Sequence, residues 1–288
     1  MSLIRQLADI ARLRPFEHAP RPLVGYASDY PTDHETGWHS HPRAQLLHAV
    51  AGVFRVATQQ SLFIVPPGTG LWVPAQTRHT SRMPKGLAMR GLFLREDAAR
   101  AGPDEVTVVA ISPLLRELIL AACEQPVMWN EDGPVRHVMA LALHEIGHAA
   151  TRPIAVPTCR DWRLRHVTDT LLADPADPRG LEAFAEMAGA SARTLARLFR
   201  RETGMSFVVW RRQLRLTEGL AALAQGETPA RVAASVGYSS SSAFGDAFRS
   251  VFGTTPGRSR RSSPAAPETD PGLPKLTEAV RRREITEF

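Results

Sequence analysis

The chain has 288 residues, 43% of them hydrophobic, which is long for one domain and enough to bury two cores. No run of about eighteen apolar residues occurs, and the opening MSLIRQLADIARLRPFEHAP has acidic residues and no apolar h-region. The expectation is therefore a cytoplasmic protein with neither membrane span nor secretory signal. The formal charge of +6 lies entirely in residues 160–261, where 16 basic side chains face 10 acidic ones, a localised surplus that points to a polyanion, most often nucleic acid.

Residues 1–20 are set aside as an N-terminal extension. Over 21–105, short runs such as AQLLHAV, GVFRVAT, SLFIVPP and AMRGLFLR alternate with Gly, Pro and Ser, which predicts an all-β barrel or sandwich. Residues 38–45 read WHSHPRAQ, with Gly52 downstream, and residues 68–79 read GTGLWVPAQTRH. His39 and His41, two apart, would project from one face of a strand, and His79 would come from another strand. Inside a barrel these three imidazoles and Gln45 can converge on a divalent ion such as Zn, Ni, Fe or Mn. An amide at residue 45 brings no negative charge, which weakens such a site. The alternative is a polar pocket for an organic effector. The two stretches resemble the cupin motifs, with Gln45 in place of the usual glutamate and Gln76 in place of the second glycine, and the resemblance implies a cupin-like sensor domain.

Over 106–155 the period becomes helical and predicts linker or dimerisation helices. SPLLRELILAACE has Ser112 as a cap and Pro113 in the first turn, and VRHVMALALHEIGHAA runs until Pro153 stops it. Residues 144–148 read HEIGH, the spacing of a zinc-peptidase helix. On a helical wheel, however, His137, His144 and His148 lie opposite the stripe of Val135, Met139, Ala142 and Ile146, and no further ligand pattern follows. The motif reads as a polar face toward water or a second subunit. Cys123 and Cys159 form no CxxC pair and read as ordinary thiols.

Residues 158–261 contain a repeat. AEMAGASARTLARLFRRETGMSF and AASVGYSSSSAFGDAFRSVFGTTP align Gly189 with Gly237, Leu195 with Phe244, Phe199 with Phe248 and Gly204 with Gly253. Each copy is a short helix, a glycine turn and a second, serine-capped helix, the plan of a helix-turn-helix, and SFVVWRRQLRLTEGLAALAQG predicts a long helix between them. In such a unit the second helix enters the major groove. Arg193, Thr194, Ala196 and Arg197 are then outward in the first copy, and Ser241, Ser242, Gly245 and Asp246 in the second. Arg200, Arg201, Arg211, Arg249 and Arg258 are candidates for phosphate anchoring.

The paired units resemble the DNA-binding domain of AraC/XylS-type transcription regulators over about 100 residues, most tellingly in SARTLARLFRRETGMSF and VAASVGYSSSSAFGDAFRSVFGTTPGRSR. Asp246 departs from the neutral or basic residue that relatives often carry. The resemblance implies a cupin-type AraC regulator of efflux or metabolic genes, with double-stranded DNA, a small-molecule effector, RNA polymerase and a second copy of the chain as partners. The expected fold is multidomain: an all-β cupin barrel, linker helices, an all-α DNA-binding domain with two helix-turn-helix units, and a disordered tail over 262–288. The rival reading is a metal-dependent cupin enzyme fused to a DNA-binding domain.

Overall fold

The computed structural model describes residues 11–100, 102–152 and 154–262. The expected disordered tail lies almost wholly outside these residues. Among them, eleven antiparallel strands form two sheets. One has the order β1 (Leu23–Tyr30), β8 (Leu87–Leu94), β3 (Ala44–Ala49), β6 (Thr69–Val73), β9 (Thr107–Ala110) and β10 (Thr151–Arg152). The other runs β11 (Ala155–Pro157), β5 (Ser61–Val65), β4 (Phe54–Thr58), β7 (His79–Met83) and β2 (His34–Glu35). All six residues of β3 are buried, so this strand is covered on both faces.

The cover includes helix α1 (Pro113–Cys123), which packs with α2 (Val135–His148) and lies on β1 and β8. Ser112 caps α1 by accepting from the Leu115 amide at 3.0 Å. At Gly25 of β1 an added Cβ would sit 2.4 Å from the Ala122 carbonyl carbon, so glycine is what lets α1 approach this closely. The sheet also reaches further than the sequence predicts. Residues 106–155 do hold two helices, but β9, β10 and the start of β11 belong to the barrel sheets rather than to a linker. Likewise the N-terminal extension is not separate: Leu13 and Phe16 pack on the barrel core.

The basic segment folds into seven helices among the described residues: α3 (Trp162–Ala173), α4 (Leu181–Met187), α5 (Ala192–Thr203), α6 (Phe207–Ala224), α7 (Pro229–Ser235), α8 (Ser241–Phe252) and α9 (Pro256–Ser262). Gly189 and Gly237 take φ of 61° and 77° in the turns of the two units, and Gly204 and Gly253 close α5 and α8 in the left-handed conformation. Two cores form. Leu164, Phe184, Leu195, Phe199 and Trp210 fill the first, and Leu216, Val232, Phe244 and Phe248 the second. Helix α6 contributes its N-terminal half to one and its C-terminal half to the other.

The two halves of the molecule are in contact. Glu218 of α6 pairs with Arg55 of β4 at 2.7 Å, and Val53, Ile64 and Ala221 bury one another. Trp210 donates its indole N–H to the Pro157 carbonyl at 2.8 Å.

Candidate DNA interface and candidate metal centre

Helix α5 starts at Ser191, whose hydroxyl accepts from the Thr194 amide. The Thr194 hydroxyl lies 2.9 Å from the same oxygen, so Thr194 is half-buried and engaged in the cap. Arg193, Arg197 and Arg200 are exposed at helical spacing and make no ion pair among the described residues, while Ala196 is half-buried between them. Arg201, also exposed, lies 3.3 Å from the Glu202 carboxylate. The result is a stripe of positive charge on one recognition helix.

Helix α8 differs. Ser241 and Ser242 are exposed and Gly245 is half-exposed, as the pattern requires. Asp246, however, pairs with Arg249 at 2.8 Å, so the expected acceptor and the expected phosphate anchor neutralise each other. Arg211 is also corrected: it donates to the Arg179 carbonyl at 2.7 Å and stacks over the Phe207 ring, which commits its head to holding α6 against the segment before α4. Arg258 is exposed.

The sensor half brings the three predicted histidines together. His39, His41 and His79 each offer a ligand atom, and these atoms all lie within 4.8 Å of one another. His39 and His41 do not alternate along a strand. His39 forms an isolated bridge to His79, and His41 lies in the turn before β3 because Pro42 restricts the residue ahead of it and cannot donate to a ladder. The ring Nδ1 of His39 faces the Gly37 carbonyl at 2.8 Å, that of His79 the Thr77 carbonyl at 2.8 Å, and that of His41 the Glu17 carboxylate. These acceptors hold the Nδ1 protons, so the lone pairs are on Nε2, as metal-binding imidazoles require. Burial, then the charge of His39, pushes His41 and His79 down to about 3, which leaves both rings neutral at ordinary pH.

His41 Nε2 and Gln45 Oε1 are buried without a hydrogen-bond partner. An orphaned imidazole nitrogen and an orphaned amide oxygen, both lining the cavity that His39 and His79 share, fit a cation. The cavity has a volume of about 20 Å³, room for roughly one water.

Two contributors left no mark in the motif spacing. Glu17 reaches His41 from the N-terminal arm, and buried Arg43 donates to the backbone carbonyls of Glu17, Ala19 and Arg21, which pins that arm over the barrel. HEIGH gains no third metal-ligating side chain among the described residues: His144 and His148 are exposed, and Glu145 accepts from the Ser112 hydroxyl at 2.8 Å. Burial pushes the Cys123 and Cys159 thiols up to about 11 and about 12, so neither is a reactive thiolate.

Residues 22–155 match the family model of an AraC-like ligand binding domain, and residues 184–262 match that of a helix-turn-helix domain. The HTH-type transcriptional regulator NimR of Escherichia coli (strain K12) is 30% identical over 220 residues, covering 76% of this chain and 80% of that protein. The HTH-type transcriptional regulator RipA of Corynebacterium glutamicum is 40% identical over 106 residues, covering 37% of this chain and 31% of that protein. The solved structure of ToxT from Vibrio cholerae aligns over 84% of this chain and 98% of that one, with a TM-score of 0.36 at 7% identity. No described helix is long and apolar enough to cross a membrane. With a ligand-binding domain followed by a helix-turn-helix domain, and a relative shared over most of both lengths, the chain belongs to the AraC family of HTH-type transcriptional regulators.

Proposed function

We propose that this regulator reads double-stranded DNA with Arg193, Thr194, Ala196 and Arg197 of its first unit and Ser241, Ser242 and Gly245 of its second, and that its barrel holds a divalent ion. Arg200, Arg201 and Arg258 sit on phosphates, and Asp246 holds Arg249 back until DNA competes for it. The ligands are His39, His41, His79 and Gln45, and Zn, Ni, Fe and Mn are the candidate ions. The observation that carries the metal reading is the set of three clustered imidazoles whose Nδ1 atoms all meet acceptors. These side chains would hold the ion, which would supply coordinate bonds to their neutral nitrogen and oxygen donors. The chain's own part is to keep the rings neutral and oriented: Glu17 holds His41, and Arg43 holds Glu17 in place.

The protein works in the cytoplasm as a homodimer and engages RNA polymerase at its promoters. Support for the dimer comes from Leu114 and Leu141, exposed on the α1–α2 pair. We read it as a regulator and not an enzyme, a reading supported by the transcriptional regulators among its relatives.

The test pairs two measurements on the full chain. Zn, Ni, Fe and Mn ions are titrated against a chromogenic chelator with wild-type and His41→Ala protein, and binding to genomic fragments is followed across a salt series. A tight equivalent of ion lost in His41→Ala, and a DNA affinity that falls linearly in log–log form with salt, are expected. No ion retained, or DNA binding indifferent to salt and sequence, overturns the corresponding part.

A further inference from the structure

Helix α2 buries Met139, Ala142 and Ile146 and turns a second stripe outward. His137, Leu141, His144 and His148 are all exposed, and their spacing of four, three and four residues is that of a coiled-coil seam. Exposed Ala140 and Gly147 lie beside the stripe, so little bulk stands in the way of a close partner. Within it, the His144 and His148 rings have their centroids 4.3 Å apart. The His148 Nδ1 meets the His144 carbonyl at 2.8 Å, which places the ring proton there and leaves Nε2 as the lone-pair nitrogen. Side chains four apart are neighbours on a helix, so both rings can turn toward one ion. His148 also stands in the last turn of α2, where the carbonyl end of a helix favours a cation. His137 is less suited, because its Nε2 lies 3.4 Å from the Arg136 guanidinium nitrogen that donates to it.

Two imidazoles are half of the four donors that zinc takes. Among the described residues the chain brings no third to the pair, since Glu145 is engaged with the Ser112 hydroxyl. A copy related by a two-fold axis brings the same pair, and two donors from each chain complete the set on that axis. We infer that His144 and His148 are half of a second metal site, completed by the same two side chains of a second copy, with zinc joining the two α2 helices. The inference rests on the dimer reading above and adds what holds the seam. Leu141, 40% exposed and one turn before the pair, supplies apolar contact beside the ion. The site is separate from His39, His41 and His79, which gather in the barrel. An ion held fully only by two chains favours the dimer by mass action, so zinc supply sets how much regulator can span two operator half-sites.

The probe is zinc, titrated into the full chain as wild type and as His41→Ala, the variant that removes a barrel ligand. Calorimetry is expected to find about half an equivalent of zinc per chain beyond what the barrel takes, and to find it in both proteins. Sedimentation equilibrium should show the dimer dissociation constant fall by about tenfold or more with zinc and recover with EDTA. His144→Gln and His148→Gln, at exposed positions that tolerate the change, should abolish the half equivalent and the shift with circular dichroism unchanged, whereas His137→Gln should keep both. Zinc binding unaltered in His148→Gln, or a dimer constant that zinc does not move, overturns the site. The two readings fail differently. A chain that dimerises equally with zinc and with EDTA refutes the zinc seam and leaves the dimer standing, and one that stays monomeric in both refutes the two together.

Discussion

Glu17 and Gln76 bear most directly on the histidine centre. Replacing Glu17 by Gln keeps an acceptor near His41 but removes the charge that orients the ring and raises its basicity. Metal affinity should fall by about 10- to 100-fold with the fold intact, as chelator competition beside circular dichroism would show. Gln76 occupies the place where the cupin motif has glycine, and it takes φ of 60° there while its backbone N–H donates to the His41 carbonyl at 2.7 Å. A side chain in that conformation is strained by about 1 kcal/mol, so Gln76→Gly should leave stability unchanged or raise it by up to about that amount in urea unfolding, the gain being offset in part by the freer unfolded chain. The histidines and Gln45 were legible because candidate ligands two and four residues apart make a recognisable string. Glu17 was not, because it arrives from a separate arm whose position depends on three backbone carbonyls meeting Arg43.

At the scale of elements, the two recognition helices share a plan and differ in charge. Helix α5 offers unpaired arginines, so Arg197→Ala should lower DNA affinity and reduce the slope of log affinity against log salt by about 1 if it meets a phosphate, or relax base preference at one position if it meets a base edge. Helix α8 withholds its charge. Asp246→Asn frees Arg249 and removes a repulsion, so affinity for DNA of any sequence should rise and its salt slope steepen, measured by fluorescence anisotropy with specific and random duplexes. The helical elements were readable because long amphipathic runs with Ser caps and glycine stops give each other away. Strands β9 to β11 were not, since strands of two to four residues are too short for an alternation to show, and they exist only because β6 and β5 offer edges to pair with.

For the whole molecule, the DNA-binding half meets the barrel through several small contacts, one of them an ion pair over an apolar patch. Arg55 and Glu218 are partly shielded, and the apolar patch beneath them comprises Val53, Ile64 and Ala221. Glu218→Gln leaves that patch intact and removes the ion pair, which is modest in strength at such exposure. Calorimetric unfolding should therefore broaden or split into two transitions, one for each half, while the circular dichroism of the native state stays unchanged. That contact also has a genetic reading. Helix α6 belongs to both helix-turn-helix cores, packs on β5 and β11 and pairs with Arg55 of β4 through Glu218, so a substitution at this contact should tilt both recognition helices together. A screen for constitutive or unresponsive alleles would accordingly return changes at Val53, Arg55 and Ile64, positions outside both recognition helices and the histidine cluster, and they would act on every target promoter alike.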